Sequence, residues 1–157
     1  MKHNILTALL LFPSLAICRQ PSQKIYAQKL IDESMAKHPE IVILAMHVKS
    51  PTDPNYPIIA WGGPTGDKVR IGKKADEDDL RVITTGKENL EVSPAGNHFE
   101  VELPLQDESR KTIGALGVVF NYKPGDNKTD LKKKAEQIRD ELRGQIPSES
   151  KLFESVH

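Results

Sequence analysis

A chain of 157 residues supports one domain with a real core, not two. Its 22 basic and 22 acidic residues cancel, which removes the electrostatic case for a nucleic-acid partner or an anionic membrane surface. Hydrophobic residues make up 38% and recur in periodic runs, so wholesale disorder is excluded as well.

The opening segment, "MKHNILTALLLFPSLAICRQ", reads as a targeting signal. Lys2 supplies the positive end, and Ile5 to Phe12 is an apolar run too short to span a bilayer. Ser14 and Ala16 place small residues where a signal peptidase reads, so residues 1–16 are expected to be removed after Ala16, giving a periplasmic or secreted protein. A lipoprotein signal using Cys18 is the rival, but it wants a small residue where Ile17 stands. Cys18 is the only cysteine, which leaves no intramolecular disulfide and no cysteine-based zinc cluster. No later run approaches the length of a membrane span, so the mature chain is expected to have none.

A polar linker over 17–24 leads into a domain expected over 25–146. Ser22 can cap a first helix running to about Lys37, with Tyr26, Ala27, Leu30, Ile31 and Met35 forming its apolar stripe. Pro39 stops it. Ile41 to Lys49 is β-branched and apolar, the pattern of a strand buried on both faces. A proline-rich loop follows, then a short strand over Ile58 to Trp61 and a Gly-Gly turn. Asp76 can cap a short helix whose first turn carries Glu77, Asp78 and Asp79, favourable beside unpaired amides, and Gly86 suits its end. Leu90 to Val92 is a minor strand.

Phe99, Val101, Leu103 and Leu105 then alternate with His98, Glu100 and Glu102, which predicts a strand with one buried and one wet face. Thr112 to Tyr122 is apolar on both faces, the mark of a central strand, yet carries Gly114 and Gly117. Thr129 can cap a last helix to about Arg143, with Leu131, Ala135, Ile138 and Leu142 as its stripe. Residues 147–157 read as a mobile tail. No repeated strand–helix–strand unit appears, which argues against a doubly wound sheet.

Recognisable catalytic arrangements are missing: there is no G-x-S-x-G and no H-E-x-x-H. "GDKVRIGKK" approaches a phosphate loop, but its glycines are one residue too far apart, and Lys74 stands where a Ser or Thr belongs. His47 lies on a buried strand, where a hydrogen-bonded core histidine competes with a pocket residue or a haem ligand. His98 falls on the wet face. Trp61 is either core or a pocket wall together with Tyr56. The basic cluster of Lys68, Arg70, Lys73 and Lys74 is followed at once by four acidic residues, which favours a self-neutralising surface over an anion site.

"RIGKKADEDDLRVITTGKENLEV" followed by "FEVELPLQDESRKTIGALGVVF" resembles the extracytoplasmic PAS-like sensor domains of the Cache, or PDC, single-domain type. The features are Arg70-Ile71-Gly72, the acidic helix from Asp76 to Asp79, Thr85-Gly86, Leu103-Pro104-Leu105, and the closing strand from Ile113 to Phe120. The resemblance covers roughly Tyr26 to Tyr122. It implies an α+β fold with a central antiparallel sheet, a long N-terminal helix across one face, a short helix in the middle and a C-terminal helix. A ligand pocket is implied on the other face, beneath the long loop region. Such domains usually sit between two membrane spans ahead of an output domain, neither of which follows here, so a free binder or a subunit docking on a separate receptor is expected.

The function expected on these grounds is an exported, non-enzymatic small-molecule-binding module without cofactor or metal. Its ligand would be a small polar metabolite, a carboxylate or an amine. Tyr56 and Trp61 would be its apolar walls, and Arg70 and His47 its polar anchors. Partners beyond the ligand would be a second copy of the chain or a separate membrane receptor. The alternatives are a pocketless interaction or dimerisation module of the same fold, and a haem binder using His47 or His98.

Overall fold

The computed structural model describes residues 24–64 and 70–156. The expected signal peptide, its cleavage point, Cys18 and the cap at Ser22 lie outside the described residues, as do residues 65–69 after the Gly-Gly turn, Lys68 among them. Three helices and five strands follow in the order α1 (Tyr26–Lys37), β1 (Ile41–Val48), β2 (Ile58–Gly62), α2 (Glu77–Thr85), β3 (Asn89–Val92), β4 (His98–Gln106), β5 (Thr112–Asn121) and α3 (Lys128–Arg143), closed by a 3-10 turn over Ser150–Phe153. The strands form one sheet in the order β2-β1-β5-β4-β3, and every pairing is antiparallel. This is an α+β fold built on a single antiparallel sheet.

The two faces of the sheet carry different chemistry. Leu44, Met46 and Val48 of β1, Leu116, Val118 and Phe120 of β5, and Phe99, Val101, Leu103 and Leu105 of β4 all belong to one buried cluster. Period-two alternation puts them on a single face. Against it pack α1, through Ala27, Leu30 and Ile31, and α3, through Ala135, Ile138 and Leu142. This is the main core. The opposite face carries a smaller apolar group of Ala45, Ile58 and Trp61, with Ile43 beside it and Ala115 and Val119 of β5 on the same face. There α2 lies across β4 and β5. The segment before it returns to β2, where the Ile58 amide donates to the Lys73 carbonyl and the Gly72 amide to the Ile58 carbonyl.

Gly114 answers half of the puzzle posed by a central strand with glycines. A Cβ there would sit 2.0 Å from the His47 carbonyl oxygen, so β1 and β5 approach too closely at that row for any side chain. Gly117 has another reason, which belongs to the site.

Two expectations are corrected. The C-terminal tail is docked: Leu152 is fully buried, Ser155 bridges to Ile25, the Tyr26 amide donates to the Glu154 carbonyl, and the Val156 amide to the Lys24 carbonyl. The polar letters around Leu152 and Phe153 concealed a two-residue apolar anchor. The face of β4 bearing Glu100 and Glu102 is not wet either. Glu102 is only 8% exposed, because α2 roofs it.

Candidate functional site

The face under α2 is organised in rows. Register places Trp61 of β2 opposite Ala45 of β1, Ala45 opposite Gly117 of β5, Gly117 opposite Glu102 of β4, and Glu102 opposite Asn89 of β3. One row therefore runs across all five strands with its two smallest residues in the middle. The neighbouring row reads Ile43, Val119, Glu100 and Glu91. A bulge between Met46 and His47 in the β1–β2 pairing brings Ile58 opposite His47, so the third row carries the histidine. A hollow floor under a helical roof results: a cavity of about 280 Å³, lined by these rows short of Asn89 and by Arg70, Lys73, Asp76 and Asp79. It lies on the side of the sheet away from α1.

Gly117 finds its reason here. A Cβ on it would meet Glu100 Oε1 at 3.1 Å. The carboxylate of Glu100 thus reaches over β5 onto the cavity floor, and even an alanine at 117 would require it to shift by a few tenths of an ångström.

The roof is built by a reciprocal cap. The Asp76 carboxylate accepts from the Asp78 and Asp79 amides, while the Asp79 carboxylate accepts from the Asp76 amide at 2.9 Å. This satisfies donors that a helix start leaves free. It also fixes Asp79, 5% exposed, with Oδ2 3.6 Å from His47 Nε2. His47 is held from the other side, since its Nδ1–H donates to the Tyr56 carbonyl at 2.9 Å. Tyr56 has a φ of 50°, a left-handed conformation unusual for a bulky residue and one that stores strain beside the site. With Nδ1 committed, Nε2 of this buried ring points toward the cavity and makes no hydrogen bond there among the described residues.

Glu102 is oriented by a relay from the roof. Asp78 pairs with Arg81 at 2.6 Å, Arg81 donates to the Asn89 amide oxygen at 2.9 Å, and the Asn89 amide group donates to Glu102 Oε2 at 3.2 Å. The other oxygen of Glu102 has no protein donor among the described residues. Burial first, then the charges of Asp79 and Glu100, pushes the Glu102 carboxyl up to about 8. Glu100 is raised in the same direction, first by burial, then by Asp79, Glu91 and Asp76, with Lys73 opposing. Acidic groups crowded into a partly dry space hold protons that water would remove.

Of the four residues expected from the sequence, His47, Trp61 and Arg70 line the cavity, with Arg70 exposed at its mouth. Tyr56 does not line it; only its main-chain carbonyl bears on the site, through His47. The buried indole Nε1 of Trp61 has no hydrogen-bond partner among the described residues. Asp79, Glu100 and Glu102 were missed. The signal was present in β4, whose "HFEVELPL" alternation puts two carboxylates on one face, but the pattern is the same whether water or a helix covers that face. His98 sits at the cavity rim. No group of three or more His, Cys, Asp or Glu among the described residues is arranged to hold a metal ion. Nor is any described helix long and apolar enough to cross a membrane.

No family model matches the sequence, and no curated protein matches it. Among solved structures it is similar to the GAF domain region of a protein from Geobacter sulfurreducens PCA, with a TM-score of 0.47 and 11% identity over 74% of this chain and 89% of that one. It is also similar to the repressor BlcR of Agobacterium tumefaciens, with a TM-score of 0.47 and 10% identity over 82% of this chain and 68% of that one. Likenesses this distant say nothing of ligand or partner.

Proposed function

We propose that the chain is a small-molecule-binding module of sensor type, exported and non-enzymatic, with its ligand site between α2 and the sheet. The observation that carries this reading is the floor row Trp61, Ala45, Gly117, Glu102. Small residues hollow the middle of the sheet while buried polar groups stand around the hollow. Concave sites with a few convergent polar groups are where small ligands bind.

A non-enzymatic role fits the same geometry. His47 faces a carboxylate, and no hydroxyl or thiol is hydrogen-bonded to it among the described residues, so no activated nucleophile is formed. A carboxylate-lined space is also a poor seat for an apolar haem. Export is proposed on the opening segment alone, and membership of the Cache type on the resemblance of residues 70–120.

The test is a thermal-shift screen of the full chain against amino acids, carboxylates and amines. A binder gains melting temperature in step with ligand concentration. No shift with any compound, together with a concentration-dependent dimer, would replace this reading with an interaction module.

A further inference from the structure

We infer that the cavity selects an organic cation, a protonated amine or guanidine, and rejects the carboxylates that the sequence leaves equally open. The inference rests on the binding reading above and narrows it to a ligand class.

The argument is an inventory of what faces the cavity. His47 is 6% exposed, its Nδ1–H is spent on the Tyr56 carbonyl, and its Nε2 lies 3.6 Å from Asp79 Oδ2. Glu102 is 8% exposed, with one oxygen tied to Asn89 and the other free toward the hollow. Asp79 has one oxygen committed to its cap and 3.6 Å from His47. Glu100 lies over Gly117. Three of these four groups, Asp79, Glu100 and Glu102, bear carboxyl oxygens, which a cationic donor meets as acceptors. An acceptor-lined, partly dry site is matched by a donor-rich ligand. An ammonium brings three N–H donors and a guanidinium five, each able to form a charge-assisted bond.

The cations near the site do not alter this. Arg70 is exposed at the mouth, and Lys73 is paired with Asp76 at 3.7 Å. A carboxylate placed on the floor would add like charge to the group of Asp79, Glu100 and Glu102, against which the unpartnered Trp61 Nε1–H is a single neutral donor among the described residues. The apolar part of the ligand has a place as well, on Ala45, Ile43 and Val119 along the floor. The raised protonation of Glu102 and Glu100 follows from the same crowding. An arriving cation replaces those protons as the neutralising charge.

The experiment compares matched pairs: butylamine, 1,4-diaminobutane and butylguanidine against butanoate and butanedioate, with calcium chloride as a separate arm. The full chain is used at pH 7.5, read by thermal shift and calorimetry. A saturable rise of about 4 °C at ten times the dissociation constant is expected with at least one of the amine or guanidine compounds. No rise is expected with either carboxylate or with calcium. Glu100→Gln and Glu102→Gln should each weaken the cation at least tenfold while folding normally, and Lys133→Gln, exposed on α3 and away from the cavity, should leave it unchanged. A carboxylate that binds while every amine fails, or calcium binding as well as the amine, overturns the inference but leaves a binding module standing. Silence from these compounds and from the wider screen alike removes the binding reading itself.

Discussion

Replacing Glu102 by Gln should make the protein more stable and less sensitive to pH. In the folded chain this carboxyl titrates at about 8, against 4.5 for an ordinary glutamate, so the native state holds a proton that the unfolded chain releases. Stability from this group is complete below about pH 4.5 and is lost as pH rises toward 8. The full separation corresponds to a ceiling of about 5 kcal/mol, at ~1.4 kcal/mol per tenfold change in proton affinity. The open mouth of the cavity admits water that screens part of this, and about 2 kcal/mol is the expected penalty on the native protein at pH 8. Gln keeps the shape and the acceptor for Asn89 but carries no charge. The variant should therefore unfold about 6 °C higher at pH 8, with little difference at pH 5. Glu100, raised by the same surroundings, leaves a residual slope in both proteins. Urea or thermal unfolding at pH 5, 6.5 and 8 decides the matter. Parallel stability profiles for the two proteins would refute the claim that a carboxyl is kept protonated on the cavity floor.

Three further outcomes follow from the packing. Gly114→Ala should cost about 2 kcal/mol or more, because its Cβ falls 2.0 Å from the His47 carbonyl and the β1–β5 ladder must part; unchanged urea midpoints would contradict this. Leu152→Ala should cost about 2–4 kcal/mol and free the tail to proteolysis, whereas a solvent-exposed tail would be indifferent to it. Asp76→Ala removes one half of the reciprocal cap of α2 and should cost about 1 kcal/mol, with faster amide exchange confined to residues 78 and 79; uniform exchange across the domain would point elsewhere.

The architecture was legible because it depends on local signals that survive without tertiary context. Ile41 to Val48 and Thr112 to Asn121 announce central strands by β-branched runs, and Phe99, Val101, Leu103 and Leu105 announce a half-buried one by alternation. Asp76 with Asp79 marks a helix start that the structure shows as a two-way cap. The site was only half legible. His47, Trp61 and Arg70 stand out as single unusual residues and do meet at one cavity. Glu100 and Glu102 look like solvent-facing residues, since period-two alternation does not say what lies over the polar face. Only the return of residues 70–85 across the sheet turns them inward. Tyr56 drew notice for its ring, while its contribution is a carbonyl aimed by a φ of 50° that no sequence pattern records. The tail failed for the opposite reason: Leu152 with Phe153 beside it suffices to anchor a segment that is otherwise mostly polar.

The most direct test of a cation site over Gly117 is a backbone-amide NMR titration of the full chain with 1,4-diaminobutane at pH 7.5. Saturable shifts are predicted at Ala45, His47, Glu100, Glu102 and Gly117, with the amides of α1 and α3 unmoved. Shifts concentrated on α1 and α3, or a spectrum unchanged by amines while butanoate moves the same five residues, would contradict it.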